Sequence, residues 1–150
     1  MEGIHNIPGF AKGILEIHQS NHIFVVCDSD ASDELQQLIA ALGIDDHHKY
    51  IIGEKEFEDA FADDVLYDCW RQYHEDRGRN CPANWTVENI SRERAACLQN
   101  PNGKFSSTLR KLNAGGKKMT KPIFGLALAE YIEDDQLPPR LAALFTELYS

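Results

Sequence analysis

The period of apolar positions changes along this chain. "HIFVVCD", residues 22–28, is short, rich in β-formers and almost continuously apolar, the pattern of a buried strand. Leu35, Leu38, Ile39 and Leu42 then recur at helical spacing, with Ser32 or Asp33 placed to cap and Gly43 to stop the helix. "KYIIG", 49–53, reads as a second short strand. Strand, helix and strand at this length predict a βαβ unit with adjacent parallel strands. From about Val65 the pattern is helical. A Trp/Tyr-bearing segment runs to about His74, the polar loop "EDRGRNCPAN" follows, and helices are predicted near 86–98, 104–113, 121–133 and 138–148. "NPNGK" and "NAGGKKMTKP" are the clearest loops, and there is neither an internal repeat nor a low-complexity tract. The expected fold class is therefore α/β: a short parallel sheet followed by a helical C-terminal part. One domain, 1–150, would comprise an α/β part to residue 64 and a mainly helical part from 65.

Length and composition add bounds. A domain of 150 residues buries about 68–70% of its unfolded surface, enough for one core. No apolar run approaches the ~18–20 residues of a membrane span, and "MEGIHNIPGF" lacks a signal-peptide core, so the expected compartment is the cytoplasm. Cys27, Cys69, Cys81 and Cys97 show no CxxC spacing, which argues against a zinc knuckle or a secreted disulfide framework. Cys27, inside an apolar run, is expected to pack as a small hydrophobe.

Charge changes the picture more. The net charge is −9, but residues 1–70 hold 3 basic and 15 acidic side chains, residues 71–122 hold 11 and 4, and residues 123–150 hold 1 and 5. An acidic first half beside a basic middle suits a metal-binding pocket adjoining a polyanion-binding surface. The plainer reading is that charged helices have solvated faces.

In open α/β sheets ligands sit beyond the carboxyl ends of the strands. Asp28 and Asp30 stand at that end of the first strand, and "GEKEFEDAF", 53–61, leaves the same end of the second with Glu54, Glu56, Glu58 and Asp59. Such carboxylates repel unless a cation joins them, and oxygen ligands favour Mg²⁺ or Mn²⁺ over zinc. His47 and His48 precede the second strand and are expected on the surface of the opposite edge. An EF-hand loop starting at Asp28 is excluded, because Asp33 and Ile39 stand where it needs glycine and glutamate. A haloacid-dehalogenase-like phosphohydrolase, with Asp28 as nucleophile, has Ser32 where it wants Thr or Val. Its later acidic pair would have to come from "IEDD", 132–135, at the end of a predicted helix. A third reading has Asp28 and Asp30 merely capping the following helix.

"FVVCDSDAS", "IIGEKEFEDAF" and "GKFSSTLRKLNAGGKKMTKPIFGLALAEYI", in that order, resemble the later part of a Toprim nuclease domain of the overcoming-lysogenization-defect (OLD) family, over roughly Ile23 to Leu148. The resemblance implies a Rossmann-like, metal-dependent nuclease domain, commonly joined to an ATPase. It implies that Asp28 and Asp30 bind Mg²⁺ or Mn²⁺, that Glu58, with Glu56 second, adds a ligand, and that Lys121 faces the phosphate. The substrate would be nucleic acid, DNA ahead of RNA, and the ATPase would lie on a further domain or second chain, since no ATP-binding glycine loop is present. A full Toprim domain starts with an earlier strand ending in Glu-Gly. Only 23 residues precede Phe24, and no apolar strand leads into "MEG", so Glu2 is not assigned that role. The expectation is a region lacking its first motif, and a non-catalytic subunit that binds a partner stays open beside the nuclease, as does self-association.

The chemistry follows without the family. Carboxylate-held cations activate water and stabilise both oxygens of an in-line displacement, and a lysine offsets charge on the phosphate. In "TKP", Thr120 can cap, Lys121 enters the first helical turn, and Pro122 is tolerated there. Lys104, Arg110, Lys111, Lys117 and Lys118, with Arg92 and Arg94, are candidates for the basic track. Trp70 and Trp85 are expected in the core rather than stacked on bases.

Overall fold

The computed structural model describes residues 24–28, 32–44, 46–116 and 118–149 of the chain. Asp30, Lys117 and Glu2 lie outside them, as does the side chain of Asp28. The architecture is mixed α/β and mostly helical, with one short parallel sheet.

β1 (Val25–Asp28) and β2 (Lys49–Ile52) pair in parallel, from Val25 opposite Lys49 to Asp28 opposite Ile52. The helix between them, α1 (Ser32–Leu42), makes the crossover. It stops at Gly43, which adopts φ +65°, while the Ile44 N–H reaches back to the Ile39 carbonyl at 3.2 Å. That left-handed stop brings Ile39 and Ile44 together as a small buried cluster, against which Val25 and Cys27 pack. Cys27 is thus half-buried rather than fully enclosed. Along β2 the pleat turns Tyr50 and Ile52 into the main core.

The helical part supplies most of that core. α2 (Asp63–Glu75) buries Val65, Leu66, Cys69, Trp70, Tyr73 and His74, a stripe at helical period. α3 (Val87–Gln99) starts at Thr86, whose hydroxyl accepts the Asn89 N–H at 3.2 Å. α4 (Phe105–Leu112), α5 (Lys121–Tyr131) and α6 (Pro139–Leu148) complete it. Each begins and ends within two residues of its sequence prediction. Trp70 and Trp85 are both almost fully buried, edge-on to Phe124 of α5. The Trp70 indole N–H donates to Asn113 Oδ1 at 2.9 Å, so the ring is anchored as well as packed. Core packing is their role, as expected. Among the described residues no helix is long and apolar enough to cross a membrane.

The two histidines ahead of β2 differ. His47 is exposed, as predicted. His48 is not the surface residue expected of it: its side chain is 14% exposed, its ring lies 4.7 Å from that of Phe24, and Nε2 is 3.6 Å from Glu147 Oε1. The cause is α6, which folds back over β2 and also accepts the Tyr50 hydroxyl on Glu147.

Candidate functional site

The parallel register puts the carboxyl ends of both strands at one edge, with the Asp28 backbone beside Ile52. β2 leaves that edge through Gly53 at φ +81°. A Cβ there would overlap the Glu56 carbonyl and press on Asp59 Oδ1, so glycine is needed for both conformation and space. The turn that follows is wound around Asp59, whose carboxylate accepts the backbone N–H of Glu54 at 2.6 Å and those of Lys55 and Glu56 at 2.8 Å. Asp59 is therefore the turn's anchor. Lys55 is spent too: its ammonium binds the Cys97 and Asn100 carbonyls at 3.0 and 2.9 Å, satisfying the C-terminal end of α3.

This anchoring aims two other acids inward. Glu56 is 3% and Glu58 5% exposed. Glu56 crosses to the start of α4, where Oε2 accepts the Ser106 N–H at 2.9 Å and Oε1 accepts the Ser106 hydroxyl at 2.7 Å. Lys121 Nζ stands 3.9 Å from the same Oε1. Glu58 lines a crevice of about 10 Å³ with Ser106, Leu109, Arg110, Met119, Thr120, Lys121 and Phe124, room for about one water molecule. Residues from the turn after β2, from α4 and from the start of α5 thus meet at one point.

Lys121 is presented as its neighbours predict. The Thr120 hydroxyl accepts the Ile123 N–H at 3.4 Å, and Pro122 occupies the first turn. The helix start adds partial positive charge beside the ammonium. Magnitudes separate what holds Glu56 from what faces it. Hydrogen bonds to a charged group contribute about 1.5–3 kcal/mol each. A pair with a lysine side chain 54% exposed is worth about 1 kcal/mol or less. Ser106 fixes the carboxylate, while Lys121 remains able to turn toward a polyanion.

The basic residues divide. Arg110, Lys118 and Lys121 line one open groove of about 410 Å³ beside the 113–116 loop. Arg110 is exposed, with Nε held 3.2 Å from the Ser106 carbonyl. Lys111 and Lys104 are exposed but stand outside that groove, as does Arg92 beside Glu93. Arg94 is held differently. It bonds Asp63 Oδ1 at 2.7 Å and the Asp59 and Phe61 carbonyls at 2.7 and 2.6 Å, and lies over the Phe105 ring at 4.5 Å. An arginine with three hydrogen-bonded partners and a ring beneath it ties neighbouring segments together.

Asp28 ends β1 as predicted, but its carboxylate, like Asp30, lies outside the described residues. Among the described residues no three His, Cys, Asp or Glu side chains gather as a metal cluster. The "IEDD" segment follows α5 and enters a 3₁₀ turn at Asp134–Gln136, so it does not end a strand. Ser106 is the residue that sequence reasoning missed. Its only signal is its place in the first turn of a helix whose own N-cap, Lys104, offers no capping oxygen. No protein-family model matches the chain, and no curated protein or solved structure matches it either.

Proposed function

We propose that this chain carries a divalent-metal-dependent site that cleaves phosphodiesters in nucleic acid, DNA ahead of RNA, in the manner of a Toprim domain of the OLD type. The observation that carries the reading is the convergence of Glu58 and Lys121 on one crevice, with Glu56 3.9 Å from the Lys121 ammonium, from segments that the sequence marks independently. The parallel strands and the late Lys-Pro helix are the parts a Rossmann-like Toprim region needs.

The donors fit the cation class by their chemistry: they are carboxylates, which suit Mg²⁺ or Mn²⁺. Asp28, Asp30 and Glu58 would hold the ion, and when bound it supplies an activated water and charge stabilisation at the phosphate. Glu58 already shares the crevice with Lys121 and Arg110, and Glu56 lies 3.9 Å from Lys121, so the need for a further cation arises chiefly from Asp28 and Asp30. Lys121 would meet a non-bridging phosphate oxygen, and Arg110 and Lys118 would lie along the approaching backbone. An ATPase on another domain or chain, and completion of the site by a partner, belong to the same proposal.

Cleavage of supercoiled plasmid by the purified chain with Mn²⁺ or Mg²⁺ tests it. Nicking that disappears in an Asp28→Ala, Asp30→Ala double variant, and in Lys121→Ala, is the expected result. Equal cleavage by wild type and variants would mean a contaminant, and the proposal would fail.

A further inference from the structure

Ser106 makes contact with the candidate site from both of its ends. Its N–H and hydroxyl donate to the two oxygens of Glu56, at 2.9 and 2.7 Å. Its carbonyl accepts Arg110 Nε at 3.2 Å. Glu56 in turn lies 3.9 Å from Lys121, and Ser106, Arg110 and Lys121 line the crevice together with Glu58. One serine, 5% exposed, thus fixes an anion on one side and a cation on the other, across segments 50 positions apart.

We propose that Ser106 is the positioning residue of this site, holding Glu56 so that Glu56 aims Lys121, and holding Arg110 one turn further along α4. The arrangement separates the roles of the two buried glutamates. Both oxygens of Glu56 are directed to Ser106, and one also to Lys121, so Glu56 serves as a fixed counter-charge. Glu58, which lines the crevice, is the carboxylate that would hold the cation of the proposed site. The geometry also explains why α4 begins without a side-chain cap of its own: the Glu56 carboxylate takes that place from a distant segment. The proposal rests on the nuclease reading for its catalytic consequence only, and its geometry stands without it.

The test measures Lys121 directly. Peptide mass spectrometry follows the rate at which an amine-reactive acetylating reagent labels Lys121 in wild type, Glu56→Gln, Ser106→Ala and Ser106→Thr, each shown folded by circular dichroism. Loss of the carboxylate partner releases the Lys121 side chain to meet the reagent, so Glu56→Gln is expected to label about two- to fivefold faster, in keeping with a partly exposed pair. Ser106→Ala should match Glu56→Gln, because Oε1 is no longer held toward the ammonium, and Ser106→Thr, which keeps the hydroxyl, should match wild type. If Ser106→Ala does not fold, the nearly isosteric and weakly donating Ser106→Cys carries the same expectation. Labelling of the folded serine variant at or below the wild-type rate overturns the proposal. A chain that cuts no DNA leaves this readout intact, so the two failures are distinguishable. In a chain that does cut, Ser106→Ala should lower kcat about 10- to 100-fold with KM little changed, the usual scale for a group that orients another.

Discussion

The acidic turn after β2 and the basic stretch from α4 to α5 meet at the same crevice, but they are built in opposite ways. Glu56 and Glu58 are 3% and 5% exposed, and the turn that carries them is wound on Asp59. Lys118, Lys121 and Arg110 are exposed, and Lys121 keeps 54% of its side chain in solvent. Buried, fixed anions and solvent-exposed cations suit different partners. A small hard cation needs carboxylates at set distances, whereas a flexible polyanion is met by side chains that adjust to it. The exception sharpens the rule: Arg94, bonded on three sides, has become part of the framework.

If that contrast is right, equal truncations on its two sides will have unequal costs. Glu56→Ala leaves the Ser106 N–H and hydroxyl buried without their acceptor. It should destabilise the chain by about 3 kcal/mol, a fall in Tm of roughly 6–12 °C for a domain of this size. Lys121→Ala removes only a solvent-exposed pair and should cost about 0.5–1 kcal/mol. Thermal melts of the two variants at the same pH make the comparison. Similar losses in both would show that the acidic side is not the rigid one.

Cysteines show what burial does where no strong donors are supplied. Burial pushes the thiols of Cys69 and Cys81 up to about 11 from 9.0, with the charges of Asp68 and Glu75 adding to the rise. A folded pKa above the unfolded one contributes stability that is fully present below about 9 and is lost as pH rises through about 11. At pH 8 both thiols should therefore react with iodoacetamide about 100-fold more slowly than a free cysteine. Stability should decline between about pH 9 and 11. Rapid labelling of Cys69 at pH 8 in the folded chain would show that the core around α2 opens.

How much of this was legible in the sequence follows from the range of the interactions. Elements governed by local signals were readable: the parallel pair from two short apolar runs, the α1 stop from Gly43, and the α5 start from Thr120, Lys121 and Pro122. The expectation that Trp70 and Trp85 form core was equally sound, because large rings in helical stripes have few other outcomes. What sequence did not disclose were the partners of polar groups. Nothing local tells Arg94, which caps carbonyls 33 and 35 positions away, from Arg110, which faces solvent. Nor does anything local show that Ser106 closes on Glu56, or that α6 returns to cover His48. These choices are made by tertiary packing, after the helices have formed.

The finest test of the contrast lies in salt dependence. Each phosphate contact releases condensed counterions, with a log–log slope of about 0.7–0.9 per contact. If the groove of Arg110, Lys118 and Lys121 carries the backbone, then Arg110→Gln and Lys118→Gln should each lower the slope of DNA affinity against salt by about one contact. Neither should move Tm by more than about 1–2 °C, since each removes only exposed charge. Arg94→Gln should do the reverse, lowering Tm by several degrees while leaving the slope unchanged, because its guanidinium is committed to Asp63 and two carbonyls. Fluorescence anisotropy across a salt series, paired with thermal melts of the same samples, separates the classes. An Arg94 variant that changed the slope as much as Arg110→Gln would place the framework arginine on the binding surface after all.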